Sequence, residues 1–498
     1  MNVTIHNRTP YLNDFYFRTL CMLYFPGEKF REGAEEAGEN AASFLLEERA
    51  DGFFCCTELN AGGRTAKGSF STAGYRPYVE MTNSDLAALA LGKAYLEAGR
   101  KLFGFSLPWG YLLGLRPVKR AKYYLDRGYS AETVEKLFVE DYGVQPQKAT
   151  LAVETAQTEI EMLRDTLPTD CALYLSIPFC PTKCAYCSFV SCTTPRLLGL
   201  LPAYLERLKR DITDTCRVIR EQGMRLTSVY VGGGTPSILT EVQLRDLLGH
   251  LQTCMPADHL REFSFEAGRP DTITPEKLHI LKESGVRRIS VNPQTTDEEV
   301  LRRIGRQHSM EAFFSVADAA MKEGFDVVNA DLIAGLPGDT LATFEKSLAD
   351  VMAIGFENIT IHTLSVKKAA PLRFSEDGVY DPAGALAREC VEYAWRTLKE
   401  NGWLPYYLYR QKNIVGNAEN VGYAKAGKEN LYNVLMMEEY STVFACGAGA
   451  ITKLVSPDRN EICRIAFPKY PYEYLDASDG IREPEIRSFF ASLHEQKG

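Results

Sequence analysis

Three cysteines, Cys180, Cys184 and Cys187, lie within the sequence Ile177-Pro-Phe-Cys-Pro-Thr-Lys-Cys-Ala-Tyr-Cys. Thiolates bind iron–sulfur clusters and structural zinc, and a complete site of either kind uses four protein ligands. Three thiolates spaced C-x3-C-x2-C can instead bind three irons of a 4Fe-4S cubane, which leaves the fourth iron with an open coordination position. A zinc site completed by Cys192 or by a distant histidine is the alternative that this spacing leaves open.

The open iron indicates what such a cluster could do. It can take the amino and carboxylate groups of S-adenosylmethionine, and an electron from the cluster can then break the sulfonium C–S bond and release a 5′-deoxyadenosyl radical. The spacing therefore predicts a radical enzyme in which Cys180, Cys184 and Cys187 are the catalytic cluster ligands.

Alternating strands and helices are expected to position this loop. Between residues 166 and 370, apolar segments typical of strands alternate with segments of helical periodicity. The predicted strands are 173–177, 226–231, 263–267, 288–292, 327–333 and 359–364. Six such units are too few to close a barrel, so we expect an α/β fold, a partial TIM-like (β/α)6 barrel of parallel strands. The cysteine loop follows the first strand, at the end where barrels of this type carry their chemistry.

Two further regions flank the predicted barrel. Residues 1–165 mix apolar segments, glycine-rich turns and helices, and we expect an N-terminal α/β accessory domain to which the pattern assigns no chemistry. Residues 371–498 lose the alternation, and we expect a C-terminal region that packs against the open barrel.

Composition excludes several classes of protein. The 498 residues carry a net charge of −9 without a long basic run, which argues against a nucleic-acid partner. The thirteen cysteines follow no recognisable export signal, so a disulfide framework is not expected. The longest apolar runs are far shorter than a membrane span. We therefore expect a cytoplasmic protein without a membrane span.

Six segments between residues 174 and 340 carry a family resemblance. They are YLSIPFCPTKCAYCSF, VGGGTPS, FEAGRP, NPQT, IGRQHS and DLIAGLPGDT. This span resembles the radical S-adenosylmethionine superfamily, in the branch of oxygen-independent coproporphyrinogen III oxidases and related haem chaperones. With the N-terminal block and the segment PYYLYRQKN, the whole chain resembles the coproporphyrinogen dehydrogenase-like subgroup.

The resemblance implies residues that bind S-adenosylmethionine, including a second molecule of it. Gly233, Gly234 and Thr235 match a loop that contacts the amino acid part, and Glu266 matches a carboxylate that binds the ribose hydroxyls. The other matching positions are Tyr174, Tyr186, Gln294, Arg306, Asp331, Ser365 and Ile451. Without the family, the glycine run is a tight turn, Glu266 a solvated or paired carboxylate, and Arg306 with Asp331 an ion pair.

The implied activity is removal of carbon dioxide from two propionates of coproporphyrinogen III, which leaves vinyl groups and gives protoporphyrinogen IX. The implied partners are this tetrapyrrole and an electron donor such as flavodoxin or ferredoxin. Phe189 stands where the oxidases have a fourth cysteine and the chaperones have phenylalanine, and Ser176 stands where both usually have histidine. A haem chaperone and another radical reaction therefore remain alternatives. His308 and His362 are the histidines expected nearest the barrel mouth, as haem ligands or as packed side chains.

Two basic segments lie outside the predicted barrel. Their residues are Arg116, Lys119, Arg120 and Lys122, and Arg410 and Lys412 beside Tyr406, Tyr407 and Tyr409. A solvated surface is the simpler interpretation. The alternative is a clamp for substrate carboxylates, because arginine pairs well with propionates.

Overall fold

The computed structural model describes residues 1–30, 40–114, 116–189, 191–367, 370–374, 384–411, 414–478, 480 and 482–495. The chain divides into two compact units. The first unit consists of Met1–Ile160 and Leu408–Glu419, and the second of Glu161–Tyr407 and Asn420–Gly498.

The first unit is built on a four-stranded sheet whose two central strands alternate buried and half-buried residues. The strands are β1 (Asn2–Arg8), β2 (Asn40–Arg49), β3 (Gly52–Ala61) and β4 (Arg64–Ser71). Strand β1 runs parallel to β2, whereas β2, β3 and β4 are antiparallel. The helices are α1 (Asp14–Cys21), α2 (Asn83–Phe103), α3 (Pro117–Leu125), α4 (Ala131–Lys136), a π-helical turn (Leu137–Asp141) and α5 (Pro146–Leu163). Helix α2 packs on β3 and β4, and this contact buries the apolar face of the sheet.

The second unit begins with six parallel strands that alternate with helices. The strands are β5 (Asp170–Ile177), β6 (Arg225–Gly233), β7 (Glu262–Gly268), β8 (Arg288–Val291), β9 (Val327–Ala334) and β10 (Asn358–Thr363). The helices are α6 (Pro195–Leu198), α7 (Leu201–Glu221), α8 (Glu241–Cys254), α9 (Pro275–Glu283), α10 (Glu298–Arg303), α11 (Met310–Glu323) and α12 (Leu341–Ile354). Short 3-10 turns span Pro236–Ile238 and Pro270–Thr272. The predicted strands and the α/β class are confirmed.

The C-terminal part of the chain extends the same sheet at both edges. Its strands are β11 (Leu404–Tyr409), β12 (Asn420–Ala424), β13 (Thr442–Cys446), β14 (Ile451–Val455) and β15 (Ile462–Ala466). Its helices are α13 (Ala385–Glu400), α14 (Leu431–Glu438), α15 (Pro471–Asp476) and α16 (Glu483–Glu495), with 3-10 turns at Pro371–Phe374 and Val415–Asn417. The eleven strands follow the order β11-β12-β10-β9-β8-β7-β6-β5-β13-β14-β15.

The expected C-terminal region 371–498 thus lies largely within the unit that contains the barrel strands. Strand β13 continues the parallel sheet beside β5, and β12 pairs antiparallel with β10. The physical reason is that an open parallel sheet has two edges, and strands from distant sequence can satisfy their backbone hydrogen bonds. Among the described residues, no helix combines the length and the apolar character needed to cross a membrane.

Candidate functional site

The three cysteines share the loop that follows β5. Cys180 and Cys184 are buried, and Cys187 is half-buried. The loop folds back on itself, because the Cys180 amide donates to the Cys192 carbonyl over 3.1 Å and the Cys192 amide to Pro178 over 2.9 Å. The Cys187 amide donates to the Cys184 carbonyl over 3.1 Å, so a tight turn holds the last two thiols on one short segment.

The surroundings of these thiols fit an anionic cluster. The Thr235 hydroxyl donates to Cys180 Sγ over 3.3 Å, and Arg269 Nη1 lies 3.7 Å from Cys184 Sγ. Among the described residues, no three His, Cys, Asp or Glu side chains form a group that could hold one metal ion. A cubane does not require that convergence, since each thiolate binds a different iron.

Burial changes the acidity of the cysteine thiols. It raises the pKa of Cys180 to about 11, although the hydrogen bond from Thr235 acts in the opposite direction. Burial likewise raises the pKa of Cys187. Thiolates and not thiols bind iron, so cluster assembly on this loop has to release protons.

The glycine segment at the end of β6, residues Gly232–Gly234, lies against the cysteine loop. A side chain on Gly234 would bring its Cβ within 2.6 Å of the Phe179 carbonyl oxygen and 2.9 Å of Cys180 Sγ. Gly233 has φ +118°, and its Cβ would lie 2.9 Å from the Ile177 amide nitrogen. Glycine is therefore needed at both positions for the backbone to approach the loop.

Glu266, near the end of β7, accepts hydrogen bonds from this segment and from the neighbouring strand. The Tyr230 hydroxyl donates to Glu266 Oε1 over 2.5 Å, and the Gly233 amide donates to Oε2 over 3.2 Å. Burial and the charge of Asp331 raise the pKa of Glu266 to about 7, although both hydrogen bonds favour its ionised form. Glu266 is thus a carboxylate that titrates near neutral pH beside the glycine segment.

Three tyrosine rings stack next to Glu266. The ring of Tyr230 lies 4.4 Å from that of Tyr432, and Tyr174 lies 6.2 Å from Tyr230 and 6.0 Å from Tyr432, measured between centroids. Tyr432 belongs to α14, whose first amides donate to the carboxylate of Glu262. The stack gives the site a flat aromatic wall.

A second group of candidate residues joins β8 and β9. The Gln294 amide donates to the Asp331 carbonyl over 3.0 Å, and Gln294 has φ +73°, a left-handed conformation unusual for its type. Arg306 is buried and donates from Nη1 to the Asn292 carbonyl over 2.6 Å. The positive charge of Arg306 also interacts with Tyr186 and Cys184, which places this group beside the cysteine loop.

Asp331 is held ionised by its neighbours. Burial acts to raise its pKa, but the hydrogen bond and charge of His362 and the amide of Asn329 outweigh burial, so the pKa of Asp331 is lowered. His362 Nε2 lies 3.7 Å from Asp331 Oδ2, and Asn329 donates over 2.8 Å. The sequence offered an ion pair between Arg306 and Asp331. In the structure, Asp331 instead pairs with His362.

His308 is buried beyond this group. Neither ring nitrogen has a hydrogen-bond partner among the described residues. Burial and the charge of Arg306 lower the pKa of His308 to about 4, so the ring is neutral at physiological pH.

The remaining candidate residues lie at other strand ends. Ser365 follows β10 and is half-buried, while Ile451 opens β14 with a relative exposure of 47%. Phe189, two residues after Cys187, has a relative exposure of 68%. Ser176 is buried, and its hydroxyl donates to the Ala448 carbonyl over 2.9 Å, so this serine ties β5 to the segment after β13.

The basic residues proposed as a clamp have partners inside the first unit. Arg120 donates to Asp85 over 2.6 Å and to the Tyr142 hydroxyl over 3.0 Å, beside a cavity of about 410 Å³. Arg410 is buried and donates to the Leu112 carbonyl over 2.9 Å. Both guanidinium groups therefore serve packing in this structure. Lys412 lies outside the described residues.

Three site residues were not identified from the sequence: Tyr230, Tyr432 and Arg269. Tyr230 stands two residues before the glycine segment on the same strand, and Arg269 lies within the FEAGRP segment. Their positions beside or within these sequence motifs could have indicated that both residues belong to the site. Nothing in the sequence around Tyr432 indicates its contact with Tyr230.

Comparisons with known proteins agree with this geometry. The Radical SAM superfamily matches residues 174–351. The oxygen-independent coproporphyrinogen-III oxidase-like protein HemZ of Bacillus subtilis is 35% identical over 79% of this chain and 79% of its own length. The haem chaperone HemW of Bacillus subtilis is 30% identical over 65% of this chain and 83% of its own length.

Among solved structures, the coproporphyrinogen III oxidase HemN of Escherichia coli, a radical SAM enzyme, superposes with a TM-score of 0.51 at 22% identity, over 64% of this chain and 71% of that one. At that identity the likeness shows the fold. The match to HemZ covers 79% of both chains at 35% identity and therefore shows the family as well as the fold. The chain belongs to the radical S-adenosylmethionine superfamily, among the coproporphyrinogen oxidase-like proteins, and uses a 4Fe-4S cluster and S-adenosylmethionine.

Proposed function

We propose that this protein removes carbon dioxide oxidatively from two propionates of coproporphyrinogen III and forms the vinyl groups of protoporphyrinogen IX without oxygen. The observation that carries the proposal is the similarity to HemZ, which extends over 79% of both chains and so reaches beyond residues 174–351. The reaction belongs to porphyrin biosynthesis.

The proposed roles follow from the contacts of the site. Cys180, Cys184 and Cys187 hold the cluster. Gly233, Gly234 and Thr235 bind the amino acid part of S-adenosylmethionine, and Glu266 accepts from its ribose hydroxyls. The other proposed contacts, some of them to a second molecule, are Tyr174, Tyr186, Gln294, Arg306, Asp331, Ser365 and Ile451.

When bound, the cluster and S-adenosylmethionine would supply an electron and a 5′-deoxyadenosyl radical able to take a hydrogen atom from the β-carbon of a propionate, and loss of one electron to an acceptor together with carbon dioxide would then leave the vinyl group. The chain's own residues position these groups and exclude water. The wall of Tyr174, Tyr230 and Tyr432 presents flat apolar surface beside Glu266. Phe189, two residues after Cys187, and Ile451, at the start of β14, are exposed apolar side chains.

A haem chaperone is the second candidate function. The similarity to HemW supports it, as does Phe189, which replaces the additional cysteine of the oxidases. Ser176 does not separate the two candidates, because the resemblance implies a histidine at this position in oxidases and chaperones alike, and the Ser176 hydroxyl here donates to the Ala448 carbonyl.

Anaerobic incubation of the reconstituted protein with dithionite, S-adenosylmethionine and coproporphyrinogen III tests the proposal, with products identified by mass spectrometry. Dithionite replaces the electron donor, which we propose to be a flavodoxin or ferredoxin. The oxidase forms vinyl products together with 5′-deoxyadenosine. A chaperone binds haem stably without coupled turnover. 5′-Deoxyadenosine with a tetrapyrrole product that keeps its propionates would indicate another radical reaction and refute the oxidase.

A further inference from the structure

Arg269 is a buried arginine that neither the radical chemistry nor the S-adenosylmethionine contacts account for. It follows β7 in the FEAGRP segment and is 3% exposed. Asp271, two residues later, accepts from Arg269 Nε over 2.9 Å and from Nη2 over 2.7 Å. This two-point contact fixes the plane of the guanidinium group and leaves Nη1 to point elsewhere.

That free end of Arg269 reaches the cysteine loop. Nη1 donates to the Thr182 hydroxyl over 2.8 Å and lies 3.7 Å from Cys184 Sγ, within hydrogen-bond range for sulfur. Thr182 and Cys184 belong to the turn between the first two cysteines of the triad. A residue from the end of β7 therefore holds the loop that follows β5, across the intervening strand β6.

The cysteines differ in what donates to them. Cys184 receives a hydrogen bond from the guanidinium group of Arg269 and lies near the charge of Arg306, whereas Cys180 receives a hydrogen bond from the neutral hydroxyl of Thr235. Hydrogen bonds to the sulfurs are among the factors that set cluster reduction potentials. Reduction adds negative charge to the cluster and its thiolates, so a donor at Cys184 stabilises the reduced state more than the oxidised state.

We propose that Arg269 is a positioning residue that orients the Thr182–Cys184 turn and raises the reduction potential of the cluster through its hydrogen bond to the Cys184 thiolate. Asp271 fixes its orientation. The proposal rests on Cys184 as a cluster ligand but not on the identity of the substrate.

The test compares Arg269→Gln and Arg269→Lys with the reconstituted wild-type protein. Iron and sulfide are counted per chain, and the midpoint potential is measured by anaerobic redox titration followed by electron paramagnetic resonance. Arg245→Gln is the matched control, because Arg245 is an exposed arginine that likewise pairs with carboxylates, those of Glu276 and Glu283.

We expect Arg269→Gln to retain the cluster but to lower the ratio of reduced to oxidised cluster about tenfold at a fixed solution potential, a shift of about 59 mV for one electron. Arg269→Lys keeps the charge and should shift the potential less, and Arg245→Gln should not shift it. Cluster loss in Arg269→Gln with retention in Arg269→Lys also supports the proposal, because the conservative variant rescues it.

A full cluster with the wild-type potential in both Arg269 variants would overturn the proposal. Cluster loss in both would overturn it as well, since Arg269 would then serve only to fold the loop. None of these readouts needs a tetrapyrrole, so the outcome is independent of the proposed oxidase activity. Failure of the ligand assignment is recognised separately, by a cubane that persists in Cys184→Ala.

Discussion

At the scale of single residues, the site depends on buried polar groups whose neighbours set their charge. Glu266 and Asp331 are carboxylates of the same site, yet the pKa of Glu266 rises to about 7 while that of Asp331 is lowered. The difference arises because Asp331 has the imidazole of His362 beside it, whereas the main donors of Glu266 are the neutral Tyr230 and Gly233. Like charge at Asp331 then favours a proton on Glu266.

The titration of Glu266 leads to a prediction about cofactor affinity. Because its pKa is raised to about 7, Glu266 is largely protonated below that pH and becomes the stronger acceptor for ribose hydroxyls above it. We expect the affinity of the cluster-loaded protein for S-adenosylmethionine to rise from about pH 6 to about pH 8. Glu266→Gln should bind about tenfold more weakly at about pH 8, a loss of ~1.4 kcal/mol, with a flat profile.

Tyr230→Phe provides the matched variant for that measurement. The Tyr230 hydroxyl favours the ionised carboxylate, so its removal should raise the pKa of Glu266 and move the rise in affinity to higher pH. Isothermal titration calorimetry under anaerobic conditions measures both profiles. A profile for Glu266→Gln that keeps the wild-type rise would refute the role of Glu266.

The cysteines give a second prediction at this scale. Cys184→Ala removes one of three proposed ligands and should abolish the visible absorption of the reconstituted cubane. Cys192→Ala is the control, because Cys192 lies beside Cys180 through backbone hydrogen bonds and is not a proposed ligand. The Cys192→Ala variant should keep at least about nine-tenths of the iron and sulfide of the wild-type protein. The opposite pattern would transfer the third ligand position to Cys192.

At the scale of elements, the strand ends of the sheet bring the site together. The cysteine loop follows β5, the glycine segment ends β6, Glu266 lies near the end of β7 and Gln294 follows β8, so each of four consecutive parallel strands contributes one part of the candidate site. Parallel pairing aligns their carboxyl ends at one edge of the sheet. After the end of β6, the Gly234 backbone lies so close to the cysteine loop that an added Cβ would meet Phe179 and Cys180.

Gly234→Ala tests that constraint. The added Cβ would lie 2.6 Å from the Phe179 carbonyl oxygen, so the cysteine loop has to move. We expect a loss of about 1–3 kcal/mol of unfolding free energy and a lower iron content after reconstitution.

Gly249→Ala is the control for that experiment, because no atom lies within 4 Å of the Cβ added to this glycine of α8. The substitution should raise stability by up to about 1 kcal/mol. Urea unfolding and iron analysis measure both variants. Equal behaviour of the two would show that the glycine segment tolerates a side chain.

At the scale of the whole molecule, the chain leaves the second unit at Leu408 and returns to it at Asn420. The segment Leu408–Glu419 is part of the first unit, where Glu419 accepts from Lys148 over 2.6 Å and from the Trp109 indole over 2.9 Å. Both charged side chains are buried. Such a pair contributes stability only while both members are present, because either alone is a buried unpaired charge.

Glu419→Gln replaces the carboxylate with a nearly isosteric amide and so leaves Lys148 without a charged partner. We expect the first unit to lose about 3–5 kcal/mol of unfolding free energy. Hydrogen exchange should report faster exchange in α5 and in Leu408–Glu419 than in β6 and β9. Lys136→Ala, which breaks the exposed pair with Glu132, is the control and should change little. Faster exchange throughout both units would contradict the assignment of the segment to one unit.

Several features followed from the sequence alone. The cysteine spacing is local, and six short apolar segments alternating with helical periodicity were sufficient to predict the strands and the α/β class. The glycines at 233 and 234 were singled out through the family resemblance, and the close approach of the backbone to the cysteine loop explains why glycine is needed there. Features of this kind depend on neighbours within a few residues, so a pattern in the chain carries them.

Only the tertiary structure decided which distant side chains meet. Tyr432 lies against Tyr230, Arg269 against Cys184, and Glu419 against Lys148, at sequence separations that no periodicity encodes. Arg410, which the sequence offered as part of a clamp for substrate carboxylates, instead donates to the Leu112 backbone carbonyl. The physical reason is that these contacts are set by the order of strands in the sheet and by packing between them. The cysteine triad thus predicted the kind of cluster, while the fold determined which charges and donors surround these three thiols.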